Sequence, residues 1–170
     1  QMFWVRCPDG DATDIQSRYQ FGGYILFDKD FKNQTVDSVT SNISSYQGVS
    51  KIPMVIGADE EGGTVCRVSY YSTFRASKFS SPRTLYQQGG MDAITTDAVE
   101  KAGLLSSLGI NVNLAPVCDI AVDPNDYMYS RSIGLEPEQT GEVVANIVST
   151  SQSNGVGAVL KHFPGYGNNV

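Results

Sequence analysis

Three groups of polar residues follow short apolar runs in this sequence. Asp59, Glu60 and Glu61 follow residues 53–58, with Arg67 just beyond Gly62-Gly63. Asp119 follows residues 112–117, with Arg131 further along its loop. Lys161 and His162, the single histidine, follow the run at 158–160 and lead into the Gly/Pro-rich stretch Phe163-Pro164-Gly165-Tyr166-Gly167. Any one group has an ordinary structural explanation. Asp59 could cap a turn, Glu60 or Glu61 is expected to pair with Arg67 as scaffolding, and Asp119 is expected to organise the rim as a hydrogen-bond acceptor. The recurrence is harder to assign to packing. If the apolar runs are parallel strands, their carboxyl ends share one rim, the usual position of chemistry in α/β folds. A rim of alternating carboxylates and cations suits a polyhydroxyl ligand, whose hydroxyls each donate and accept.

The intervening segments supply the helices that such a sheet needs. A first strand is read at residues 2–6, then a helix on Ala12, Ile15 and Tyr19 ended by Gly22-Gly23. A second strand at residues 24–27 is followed by a helix on Val36, Val39, Ile43 and Tyr46, with Gly48 as its C′ residue. After the third strand, residues 67–83 read as a loop on the active-site side, and Ala98, Ala102, Leu105 and Leu108 line a helix ended by Gly109. The fourth strand carries an interrupting Asn113. Pro137 opens a helix through Val143, Val144, Ile147 and Val148 that Asn154-Gly155 stops before the fifth strand, which is expected to be buried. Fully apolar strands alternating with helices imply a covered parallel sheet with right-handed connections. This is either a doubly wound open sheet or part of a barrel. A complete eight-fold barrel needs about 250 residues, of which this chain would supply about five-eighths.

Composition narrows the function. At 170 residues with 41% hydrophobic and 18% charged residues, one globular domain is expected. A net charge of −6 argues against a nucleic-acid partner. No apolar run nears the roughly 18 residues that span a bilayer. The chain opens directly on strand-like Met2-Phe3-Trp4-Val5, so a signal or anchor is expected to be removed or never present. Cys7, Cys66 and Cys118 match neither a metal-ligand nor a disulfide spacing and are expected as small buried thiols near strand ends. Asn33-Gln34-Thr35 and Asn42-Ile43-Ser44 match the glycosylation sequon, a short pattern that arises often by chance. There is no Gly-rich dinucleotide or P-loop motif, no zinc set and no Gly-x-Ser-x-Gly elbow, so no cofactor is expected.

Four segments resemble glycoside hydrolase family 3. Ala58-Asp59-Glu60-Glu61-Gly62-Gly63-Thr64-Val65-Cys66-Arg67 resembles its Asp-x-Glu-Gly-Gly-x-Val-x-Arg segment. Asn111-Val112-Asn113-Leu114-Ala115-Pro116-Val117-Cys118-Asp119 is similar to its fourth-strand segment, and Arg131-Ser132-Ile133-Gly134 to its Arg-Ser-Phe-Gly loop. Lys161-His162-Phe163-Pro164-Gly165-Tyr166-Gly167 is similar to its Lys-His-Phe-Pro-Gly-His-Gly signature. Tyr166 stands where many members have His, and Thr64 where they often have Arg.

The resemblance implies a TIM-type (β/α)8 barrel, of which this chain carries about the first five strands. The nearest branch is the β-N-acetylglucosaminidases, which implies a carbohydrate substrate of that class and retention of configuration through a glycosyl-enzyme. It implies that Asp59, Arg67, Arg131, Lys161 and His162 hold the sugar. The catalytic acid/base, an Asp–His dyad, and the Asp nucleophile would lie beyond Val170, leaving this chain inert alone. The same resemblance implies a setting outside the cell, extracellular or membrane-anchored, with a cytoplasmic one as the alternative, and exposed edges of the first and fifth strands imply self-association. The competing reading is a non-catalytic sugar-binding or interaction module on an open flavodoxin-like sheet.

Overall fold

The computed structural model describes residues 1–167. Among the described residues, seven strands and four α-helices succeed one another as β1 (Trp4–Arg6), α1 (Ala12–Tyr19), β2 (Gly23–Leu26), α2 (Val36–Gly48), β3 (Val55–Ala58), β4 (Glu60–Gly62), β5 (Val65–Cys66), α3 (Pro82–Ser107), β6 (Val112–Asn113), α4 (Pro137–Ser153) and β7 (Gly157–Ala158). The main sheet is parallel throughout, in the order β1-β2-β3-β6-β7. Each strand therefore lies beside the next one in sequence. A flavodoxin-like sheet reverses its order at a switch point; this sheet has no reversal, and its order is that of five consecutive strands of a (β/α)8 barrel.

The two faces of the sheet are filled differently. Tyr24, Leu26, Ile56 and Ala58 point toward the helices and are buried with Val39, Ile43, Leu105 and Leu108 in one apolar cluster. Gly23 and Gly57 face the other way, and the Trp4 indole covers both. A Cβ at Gly57 would lie 2.3 Å from Trp4 Cζ2, and one at Gly23 would lie 2.1 Å from the Val55 carbonyl oxygen. Side chains are excluded there by the close approach of ring and backbone.

Several boundaries differ from the sequence expectation. Helix α1 buries Ala12 and Gln16 rather than an Ala12–Ile15–Tyr19 stripe, and Tyr19 is mostly exposed. Gln16 is tolerated inside because its amide is fully used. It donates to Ser50 Oγ at 2.8 Å and to the Phe21 carbonyl at 3.1 Å, and accepts from Phe21 N–H at 3.0 Å. The helix ends at Gln20 in the left-handed region, not at Gly22-Gly23. Gly48 is the last helical residue of α2 rather than a left-handed C′ residue. Helix α3 begins at Pro82, capped by Ser81, well before the apolar stripe that announced it, and bends at Gly90 with φ of 57°.

Strand β7 is shorter and less buried than expected, with Leu160 exposed. It pairs with β6 alone among the described strands, so its other edge is uncovered. The fourth strand likewise stops at Asn113, although the parallel direction resumes in a bridge between Val117 and Lys161. Cys7 and Cys66 are buried and Cys118 half-buried, all as free thiols. In Gly57→Ala the new methyl must displace Trp4, with an expected loss of roughly 1–3 kcal/mol. Chemical denaturation measures the loss. Because Trp4 is the only tryptophan, its fluorescence should shift in the folded state as well.

Candidate active site

The segment after β3 turns back on itself, and that hairpin sets the site's geometry. Strands β4 and β5 pair antiparallel across Gly62 and Gly63, which adopt φ of 99° and 67°. The glycine pair is tightly held, since a Cβ at Gly62 would meet the Ser80 carbonyl oxygen at 2.2 Å. In this extended stretch alternate side chains point opposite ways, and the three acidic residues divide their work accordingly.

Glu60 is completely buried and serves the backbone. Its carboxylate accepts from the N–H groups of Arg67 at 3.0 Å, Val68 at 2.7 Å and Ser69 at 3.3 Å, and from the Ser69 hydroxyl. Asn113, the polar residue that interrupts the fourth strand, closes the other side. Its amide donates to the Glu60 carbonyl and accepts from Glu60 N–H, both at 3.0 Å. The expected pairing of Glu60 or Glu61 with the Arg67 guanidinium does not form. Arg67 faces Asp59 at 3.9 Å and lies over the Phe27 ring, 5.6 Å from its centroid.

Glu61 points to the rim and gathers the cations. Its side chain is 1% exposed and takes a two-pronged contact from Arg131, Nε to Oε2 at 2.9 Å and Nη2 to Oε1 at 2.7 Å. Lys161 Nζ stands 2.5 Å from Glu61 Oε1 and 2.6 Å from Asp59 Oδ1. Burial alone pushes the Glu61 carboxyl up, but Arg131 and Lys161 outweigh it and hold it below its ordinary range. Arg131 Nη2 also approaches His162 Nε2 at 3.4 Å, and His162 Nδ1 lies 2.6 Å from Asp119 Oδ2. A guanidinium can only donate. The ring is thereby assigned as the neutral tautomer that accepts at Nε2 and donates from Nδ1 to Asp119. Asp119 further accepts from His162 N–H at 3.2 Å and Tyr166 N–H at 2.8 Å. Burial raises its carboxyl, and the bonds from His162 and Tyr166 more than reverse that.

Of the sequence-predicted residues, Asp59, Arg131, Lys161 and His162 thus converge in one row, with Arg67 at its Asp59 end. Asp119 has the acceptor role expected of it. Two residues of consequence were not anticipated. Glu61 was expected only as scaffolding, and its place at the centre of the row is set by a hairpin that no periodicity announces. Arg83, read as loop, lies in the first turn of α3. It donates to the Ala121 carbonyl at 2.6 Å and Ser132 Oγ at 2.8 Å and stacks 3.9 Å from the Tyr129 centroid, pinning the loop that presents Arg131.

This motif order and geometry agree with the family comparison: the whole chain, residues 1–170, matches the glycosyl hydrolase family 3 N terminal domain. The chain belongs to glycoside hydrolase family 3. It is 34% identical to Beta-hexosaminidase A of Pseudoalteromonas piscicida over 92% of its own length and 27% of the relative's. It is 30% identical to Beta-hexosaminidase LpqI of Mycobacterium tuberculosis, covering 92% of this chain and 39% of that protein. The solved structure of M. tuberculosis LpqI superposes with a TM-score of 0.82 at 25% identity, covering 96% of this chain and 47% of that one. A family 3 β-N-acetylglucosaminidase from Paenibacillus sp. str. FPU-7 gives 0.83 at 26% identity, covering 97% and 32%. The chain therefore spans less than half the length of each of these relatives.

The buried charges predict how this site responds to acid. Glu61 has a depressed carboxyl in the fold, so its stabilisation is complete above its ordinary value of 4.5 and is lost as pH falls below it toward the folded value. Glu61→Gln leaves Arg131 and Lys161 without their shared anion and is expected to cost roughly 3–5 kcal/mol at neutral pH. The variant's stability should also fall less steeply than the wild type's between pH 4.5 and lower values. Denaturant midpoints across that range measure both effects.

Proposed function

We propose that this chain is the sugar-holding N-terminal part of a single family 3 barrel domain, acting in a retaining exo-β-N-acetylglucosaminidase. The observation that carries the proposal is the unbroken row Asp59–Lys161–Glu61–Arg131–His162–Asp119 at the carboxyl ends of neighbouring parallel strands. Within it, Asp59 Oδ2 has only the Arg67 guanidinium, 3.9 Å away, beside it among the described residues. It is an acceptor that a sugar hydroxyl satisfies. Arg131, Lys161 and His162 complete the subsite by orienting the sugar and the carboxylates around it. The relatives' names, hexosaminidase and β-N-acetylglucosaminidase, support the sugar class.

The same geometry argues against Glu61 or Asp119 as the nucleophile. Both oxygens of Glu61 and both of Asp119 are already bonded to donors. An ionised carboxylate so occupied is a poor attacking group. In this reading the family resemblance puts the nucleophile and the acid/base beyond Val170, which would leave the 170-residue chain inert by itself. An extracellular setting is supported by a relative described as a secreted glycosyl hydrolase, 30% identical over 94% of this chain. The open edges of β1 and β7 make self-association, or retention of the missing part, the expected state of the isolated chain.

In an enzyme extended past Val170, Asp59→Ala should lower kcat/KM on an aryl β-N-acetylglucosaminide by several kcal/mol of transition-state stabilisation, because hydroxyl contacts tighten there. An unchanged kcat/KM removes Asp59 from the subsite. The isolated chain should release no aryl product from the same substrate; turnover by pure chain places the catalytic groups inside it. Light scattering on that sample should report species larger than a monomer.

A further inference from the structure

A second ion pair lies behind the charged row. Asp97 and Lys101 stand one turn apart on α3, with Lys101 Nζ 2.6 Å from Asp97 Oδ2. Their side chains are 12% and 10% exposed. The cavity beside them is lined by apolar side chains of α3 and α4, Ile94, Leu105 and Ile147 among them. The same ammonium donates to the Glu61 carbonyl at 2.9 Å and lies 5.2 Å from the centroid of the Phe79 ring. Lys101 therefore grips the main chain of the residue whose side chain is the centre of the row.

Helix stability is a poor reason for this pair. Exposed pairs at this spacing support a helix weakly. This one is largely withdrawn from water, where the cost of desolvating two ions often exceeds their attraction. Burial pushes the Asp97 carboxyl up, and its contacts with Lys101 do not bring it back to its ordinary value. The hairpin supplies a better reason. Strands β4 and β5 pair through Glu60–Cys66 and Gly62–Val65, and the register shifts between those pairs, at Glu61. An irregularity of this kind disrupts the ladder and re-aims a side chain. Lys101 supplies a hydrogen bond at that position, and the ammonium sits close against the turn: a Cβ at Gly62 would stand 3.2 Å from Nζ. Gly63 N–H donates to the Phe79 carbonyl at 2.9 Å, so the turn is anchored beside Lys101 as well.

We propose that Lys101 is a positioning residue for the charged row: by holding the Glu61 carbonyl it sets where the Glu61 carboxylate stands, and with it Arg131 and Lys161. Asp97 is its counter-ion in the interior. The proposal rests on the function read above, in which that row holds the terminal sugar. Glu61 is then fixed from both ends, its main chain by α3 and its carboxylate by the loops after β6 and β7.

The test uses the enzyme extended past Val170 and an aryl β-N-acetylglucosaminide. In Asp97→Leu/Lys101→Met the pair is replaced by apolar side chains of similar volume, so denaturant midpoints should stay level or rise. kcat/KM should nevertheless fall about ten- to a hundredfold, because a small displacement of binding groups is costly to the reaction. The fall should appear mainly in kcat, since the row's contacts tighten in the transition state. The single variants separate the tether from the ion pair: both break the pair, but only Lys101→Met removes the donor to Glu61. Per folded molecule, Lys101→Met should lose about threefold more kcat/KM than Asp97→Asn, or beyond. That comparison decides alone should the double variant not fold. A folded double variant with unchanged kcat/KM, or single variants with equal losses, overturns the positioning role and leaves the charged row's assignment standing. A wild-type enzyme that cleaves no such glycoside overturns the functional reading and the proposal with it.

Discussion

The arrangement depends on one buried anion. Glu61 is almost wholly withdrawn from water, where an ionised carboxylate without partners is prohibitively costly. Arg131 and Lys161 lie 70 and 100 residues further along the chain, and both come to it. Replacing such a charge cluster by apolar side chains of similar volume is often neutral or stabilising. The cluster is therefore best understood as fixing one arrangement of the loops after β6 and β7. Any other arrangement leaves a charge in the interior without a partner. Glu60 imposes a matching condition on the hairpin itself, since its carboxylate is the acceptor for three consecutive backbone N–H groups. Two neighbouring acidic residues thus fix, respectively, the local turn and the long-range convergence.

The sheet supplies the common origin for those loops. Parallel register places Ala58, Asn113 and Ala158 side by side, so the segments that follow them leave from one level. The glycines under Trp4 let the indole lie flat on β2 and β3, where a bulkier strand would force the ring away. At the outer edges, β1 and β7 each have a single neighbour among the described strands, and the exposed Met2, Phe3 and Leu160 lie at or beside those ends. Unpaired strand edges and exposed apolar residues in the same places are what a sheet that continues beyond these strands would leave uncovered.

What could be read from the sequence follows the range of the forces involved. Asp59, Asp119, Lys161 and His162 each stand directly after an apolar run, so strand alternation alone predicts that they share a rim. Helix α4 was legible for a similar reason: Pro137 and Asn154-Gly155 are local signals acting on local backbone. The failures are tertiary. Gln16 occupies a core position because Phe21 and Ser50 satisfy its amide, and neither partner is visible in the helix's own pattern. The start of α3 was hidden because Pro82 to Gly90 precedes a bend, so the apolar stripe of the second half does not extend in phase through the first. Arg83 was read as loop for that reason, although its partners Ala121 and Ser132 lie some forty to fifty residues away. Glu61 was distinguished from Glu60 only by which side of a three-residue strand it occupies, and a one-residue change of register would exchange their roles.

The charge balance of the row also constrains what it can hold. Its carboxylates are Asp59, Glu61 and Asp119, and its permanent cations are Arg67, Arg131 and Lys161, with His162 assigned neutral by its bonds to Arg131 and Asp119. Three charges of each sign leave no surplus for an anionic group to neutralise. A phosphate or carboxylate arriving here would have to displace Asp59 or Glu61 from its cation, and the displaced carboxylate would then be buried without a partner. A neutral ligand rich in hydroxyls needs no such displacement. The row is thus already neutralised by its own three carboxylates and three permanent cations.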